Sequence, residues 1–152
     1  MSTTHITQRV NAPRAQVYRA LLDASAVEKW QVPSGMTSQV HLFDAREGGA
    51  FRISLTYDGA GAGKTSAHTD TFYGRFVKLI PNQQVVETVE FESTDPALRG
   101  EMKITFSLSE VDGGTLIDAR HEQLPRGISP ADNELGWQMS LGKLAQLVEG
   151  ST

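Results

Sequence analysis

Cysteine is absent from this 152-residue chain. That excludes disulfides, thiolate nucleophiles and thiolate-bound metals. Long apolar runs are missing too: nothing approaches the roughly 18–20 apolar residues of a membrane-spanning helix. The opening MSTTHITQRV has neither the basic start nor the apolar stretch of a secretion signal. Positive charge is scarce, with 14 Lys and Arg against 18 Asp and Glu and a net charge of −4. The basic residues do not cluster, which argues against a nucleic-acid partner. The four histidines, His5, His41, His68 and His121, lack the paired helical spacing of a zinc site. No Gly-x-Ser-x-Gly elbow occurs. These absences predict a cytoplasmic protein with no membrane insertion, no metal and no cofactor.

What is present suits one domain spanning residues 1–152, large enough to bury a core unaided. Residues 129–149 carry the clearest helical pattern. Trp137, Leu141, Leu144 and Val148 recur at spacings of four, three and four, which makes one apolar face. Ser129 suits the cap, Pro130 the first turn, and Asp132 complements the positive end of the helix dipole. Lys143, Gln146 and Glu149 are expected to face water. Gly136 and Gly142 run against helix propensity and suggest either close approach of the backbone to another surface or simple tolerance.

Ahead of this helix the pattern is one strand, two short helices and six strands. The first strand is read over 3–10, with Asn11 or Ala12 near a helix cap and Pro13 in the first turn. A second short helix ends near Trp30. Phe51, Ile53, Leu55 and Tyr57 alternate with polar residues, as do Met102, Ile104, Phe106 and Leu108, which marks half-buried strands. Asp112-Gly113-Gly114 is a hairpin turn. Strands joined by short turns form an antiparallel sheet that needs cover on one face, and the terminal helix is long enough to give it. The glycine-rich segment 58–68 reads as a flexible hairpin loop. It lacks the first glycine of a phosphate-binding loop and is followed by strand, not helix.

Several residues then fall into a known order. Ala12-Pro13 with Val17, Trp30, Asp44-x-Arg46-x-Gly48-Gly49-x-Phe51, Gly74, Pro81, Gly114-Thr115, His121 and Gly136-Trp137 are followed by Leu141 and Leu144. Over residues 5–149 the chain resembles the SRPBCC, or START-like, superfamily. Within it, the match is to proteins similar to the C-terminal domain of the heat-shock protein 90 ATPase activator. The resemblance implies an α+β helix-grip fold, a curved sheet of about seven strands around the C-terminal helix. It also implies a cavity that holds lipids, sterols, polyketides or other apolar molecules, with cyclases and hydrolases among the relatives. The eukaryotic activator has a further N-terminal domain for which this chain has no room, so chaperone binding is not expected. A second copy of the chain remains a candidate partner.

The expected ligand-binding residues are Trp30, Phe51, Ile53, Phe72, Phe106, His121, Asn133, Trp137 and Leu141. Trp137 faces the sheet, as ligand wall or packing anchor. His121 shares strand parity with Ile117 and Ala119, which places it inward, either as a satisfied core residue or as a proton-transfer group. Asp70 shares a face with Phe72, Gly74 and Phe76, but which face of that strand is inward stays open. Turned inward, its pKa would rise and it would pair with His121 as a general acid/base couple; at a frayed strand start it is solvated, and that reading is favoured. Glu87 and Glu90 lie on opposite faces of one strand, so at most one faces a cavity. The main expectation is binding of a small hydrophobic or amphipathic molecule. The alternatives are acid/base chemistry on a carbonyl compound through His121 and a carboxylate, or a chaperone-linked interaction module.

Overall fold

The computed structural model describes residues 2–33, 35–57 and 69–150; the expected hairpin loop at 58–68 lies outside them. The elements run β1 (Ser2–Val10), α1 (Arg14–Leu21), α2 (Ala24–Trp30), β2 (Met36–Phe43), β3 (Ala50–Tyr57), β4 (Thr69–Ile80) and β5 (Gln84–Phe91). A short 3-10 turn (Pro96–Leu98) precedes β6 (Met102–Val111), β7 (Gly114–Leu124) and α3 (Pro130–Glu149). The strands form a seven-stranded antiparallel sheet in the order β1-β7-β6-β5-β4-β3-β2. The helix-grip expectation is met in element order and sheet.

Local chemistry sets the boundaries. Asp112 and Gly113, both with positive φ, make the two-residue turn that closes Val111 onto Gly114, as a primed hairpin turn requires. Ser129 caps α3, its Oγ accepting from the Asp132 amide at 3.3 Å. At α1 the cap falls one residue later than expected. Pro13 itself is the extended N-cap, with ψ 152° and no side-chain hydrogen bond. Asp23 caps α2 by accepting from the Ser25 and Ala26 amides, a device visible in the sequence as an acidic residue directly before Ala24.

α3 lies against β1 and α2, with Leu141, Leu144, Ala145 and Val148 buried. Two residues expected to face water also make fixed hydrogen bonds. Lys143 is half-buried and donates from Nζ to the Val32 carbonyl at 2.7 Å. Glu149 accepts from the Asn11 amide at 2.9 Å and so ties the helix end to the end of β1. Close approach does explain Gly74 in β4: a Cβ there would drive into the Thr88 carbonyl and the Phe51 ring. The glycines of α3 have no such reason. A Cβ on Gly136 would only touch Pro33 at 3.8 Å, and one on Gly142 would meet nothing. Gly142→Ala is therefore expected to stabilise the protein by about 0.5–1 kcal/mol, the helix-propensity difference. Urea denaturation checks this, and a lower midpoint would contradict it.

Candidate functional site

Register assembles the site. Residues directly opposite one another on neighbouring strands share a face of the sheet. One such row runs Thr4, His121, Ile104, Glu87, Phe76 across β1, β7, β6, β5 and β4. All five side chains are buried. The next row on the same face is Ile6, Ala119, Phe106 and Val85. Two titratable groups thus stand in a row whose other members, Thr4, Ile104 and Phe76, are uncharged, with Ile104 between them. At about 4.8 Å per strand their Cα atoms are about 10 Å apart.

Neither group is matched by a charge. His121 is 1% exposed, and its Nε2 has no hydrogen-bond partner among the described residues. Burial alone lowers its pKa from 6.5 to about 4, because desolvation penalises the imidazolium. Burial alone likewise pushes Glu87 from 4.5 up to about 8. Near neutral pH the row therefore holds a neutral imidazole and a neutral carboxylic acid.

α3 supplies the roof. The Trp137 ring lies over His121 with centroids 4.7 Å apart, 5.7 Å from Phe106 and 6.3 Å from Trp30. Trp30 is fixed, its indole N–H donating to the Ala20 carbonyl at 2.9 Å. Trp137 is only half-buried. One turn earlier, Asn133 donates from Nδ2 to Thr4 Oγ1 at 2.9 Å and closes the His121 end of the row. Leu141, one turn later, is fully buried.

Of the nine residues expected to bind ligand, Trp30, Phe106 and His121 meet the Trp137 ring, and Asn133 and Leu141 lie one turn to either side of Trp137 on α3. Phe51, Ile53 and Phe72 are buried on β3 and β4, beyond the Trp137 ring contacts. Phe51 packs on Phe76 at 5.2 Å and Phe72 on Phe91 at 6.5 Å, a second aromatic group. Asp70 departs most from the favoured reading. It is 3% exposed, not solvated, and the face it shares with Phe72 and Phe76 is the inner one. Phe76, the β4 member of the His121 row, is six residues further on, about 20 Å along the strand. Asp70 thus sits towards the other end of the sheet, and Glu87 is the carboxyl nearest His121 on the row. The sequence left Glu87 unranked. Its signal was the run Val85-x-Glu87-x-Val89, a carboxylate at apolar strand parity.

The space above His121 is filled by Trp137 rather than left open. Two open clefts, of about 640 and 290 Å³, lie elsewhere. The larger is lined by Tyr18, Arg19, Asp23 and Phe43 among others, and neither touches any of the nine expected ligand-binding residues. Among the described residues no three His, Asp or Glu side chains converge on a metal position, and no helix is long and apolar enough to cross a membrane.

The family model described as "Activator of Hsp90 ATPase homolog 1-like protein" matches residues 11–149. The chain belongs to this family. A protein of solved crystal structure from Chromobacterium violaceum is similar at 35% identity, over 97% of this chain and 96% of that one, with a TM-score of 0.87. A Rhodobacter sphaeroides protein shares the fold at 16% identity, over 99% and 94%, with a TM-score of 0.81. The AHSA1-like protein from Aeromonas hydrophila does so at 18% identity, over 99% and 94%, with a TM-score of 0.73. No curated protein matches the chain.

Proposed function

We propose that this activator-homolog protein binds a small molecule with an apolar body and a neutral polar end, in the space that Trp137 occupies above His121. The observation that carries this reading is the His121 Nε2, a buried ring nitrogen with no partner among the described residues, beneath a partly buried aromatic ring. Buried polar atoms in native proteins are overwhelmingly hydrogen-bonded. A ligand that displaces Trp137 would bring the missing partner, and Phe106, Ile104 and Trp30 would receive its apolar body. The polar end is neutral because neither row beside His121 contains Lys or Arg, and a buried anion without a cation is strongly penalised.

Calorimetric titration with 2-undecanone and with decanoate tests this, alongside native mass spectrometry of protein purified from its host. The ketone is expected to bind and to change tryptophan emission, since Trp137 must move. Binding of decanoate in preference to the ketone, or of neither, rejects the reading.

A further inference from the structure

We infer that the open cleft beside α1 is a second binding site, for a free α-amino acid with an aromatic side chain. It is separate from the space above His121 and does not depend on the reading given for that space. The cleft, of about 640 Å³, lies where four parts of the chain meet. α1 brings Tyr18 and Arg19, the α1–α2 corner brings Leu22 and Asp23, the end of β2 brings Phe43, and the β4–β5 turn brings Asn82. Its volume falls within the roughly 300–1,000 Å³ of small-molecule sites.

The apolar wall is backed by the core. Tyr18, Leu22 and Phe43 pack against it, and the Phe43 ring meets the buried Phe76 ring edge-on at 5.4 Å. An aromatic side chain entering the cleft meets Phe43 in the offset or edge-on arrangements that ring pairs prefer.

The charges select the rest of the ligand. Arg19 and Asp23 both line the cleft with opposite charge, yet they do not pair with each other, and Arg19 makes no ion pair among the described residues. Asp23 uses Oδ1 to cap α2, which leaves Oδ2 for a ligand. The carboxylate of an amino acid matches the fork of the Arg19 guanidinium, and its ammonium matches Asp23 Oδ2. Burial, and after it the charge of Glu47, push the Tyr18 pKa up from its ordinary value, so the phenol stays a hydroxyl that can donate to the same carboxylate. A carboxylate alone suits the cleft less well. Asp23 and Glu47, whose charge reaches Tyr18, outnumber Arg19, while Asp44 and Arg46 pair with each other. A zwitterion adds no net charge to that set. Arg19 and Asp23 also border the smaller cleft, but the described residues of its wall include no aromatic side chain.

The probe is L-tryptophan, titrated into isotope-labelled full-length protein and followed by amide chemical shifts. Tryptamine and indole-3-propionate, which each lack one of its charges, are titrated alongside. L-Tryptophan is expected to shift the amides of residues 18–23, Phe43 and Asn82, with a Kd of about 1 mM for a ligand of its size in an open cleft. It should bind about fivefold to tenfold tighter than either analogue, between the effect of an exposed ion pair and that of a buried charged hydrogen bond. Arg19→Gln is expected to remove the advantage over tryptamine, and Asp23→Asn the advantage over indole-3-propionate. Asparagine caps a helix as well as aspartate does, so the second variant keeps α2. Equal affinities for the three indoles, shifts that spare Phe43 and Asn82, or an advantage that survives its substitution overturn the proposal. Each of these results leaves the reading of the His121 site untouched.

Discussion

Glu87→Gln is expected to make the protein more stable at alkaline pH, by on the order of 4–5 kcal/mol at pH 9 relative to the difference at pH 4. The Glu87 pKa rises on folding from 4.5 to about 8. Between those values the folded chain holds a proton that the unfolded chain has released. Stability therefore falls as pH climbs through that window, by about 1.4 kcal/mol per pH unit. His121 works in the opposite sense. Its pKa falls on folding from 6.5 to about 4, so between about 4 and 6.5 the unfolded chain binds a proton that the folded chain refuses. Its contribution rises with pH over that range and is complete above 6.5.

The two slopes cancel between about pH 4.5 and 6.5. From these groups the wild-type protein should show a plateau there, then a decline of roughly 2 kcal/mol from pH 6.5 to 8. In Glu87→Gln the decline disappears and the rise due to His121 is uncovered. Urea unfolding at unit intervals from pH 4 to 9 reads both curves. Parallel profiles for the two proteins would show that Glu87 ionises normally, and its neutral role in the site would fall with that result.

Much of this arrangement could be read from the chain, and what could not has a physical reason. The helix at 129–149 announced itself because capping, charge in the first turn and apolar spacing all agree there. His121 was placed inward because Ile117 and Ala119 fix the parity of β7, and the bond-by-bond register keeps it. Strand β4 resisted the same treatment. Both of its faces carry large apolar residues, Phe72 and Phe76 on one side and Val77 and Leu79 on the other, and its ladder to β5 slips between Phe76 and Lys78. Val77 ends up exposed, while Leu79, beyond the slip, comes opposite the inward Val85 and packs against the core. Periodicity cannot detect a bulge, because one added residue inverts the parity of everything beyond it.

The placement of Glu87 in the His121 row was hidden for a different reason. They are 34 positions apart in the chain, and only the β5–β6 and β6–β7 registers bring them into one row. An Asp–His pair looked equally plausible from composition, since both types were available on strands of the same sheet. Register along the strands decides between them, and a single sequence does not specify register between strands. The filled space under α3 was beyond sequence reasoning altogether. Trp137 was correctly turned towards the sheet, but whether a large ring lines a hollow or closes it depends on fractions of its own width.

That question has a direct test. Trp137→Ala is expected to cost about 3 kcal/mol of stability. Large-to-alanine changes of buried aromatics cost about 3–5 kcal/mol, and the partial burial of this ring places it at the lower end. The loss comes from its contacts with His121, Phe106 and Trp30. Trp30 is held by its bond to Ala20 and by nearly complete burial, and Phe106 by its place in the sheet. These walls have little freedom to collapse, so the truncated side chain leaves a space lined by an imidazole and aromatic rings. A small neutral aromatic molecule should enter it and restore stability as RT ln(1 + [L]/Kd), about 2.7 kcal/mol at a hundredfold excess over Kd. 2-Naphthol suits the test, having a fused ring in place of the indole and a hydroxyl for the His121 Nε2. Thermal unfolding of the variant with and without 2-naphthol gives the answer, with Leu144→Ala, which lies two turns further along α3, as the control. Rescue confined to Trp137→Ala would establish that the ring is a removable plug over a binding site. An equal response in both variants, or none in either, would make Trp137 an ordinary core residue and leave His121 without a route to any ligand.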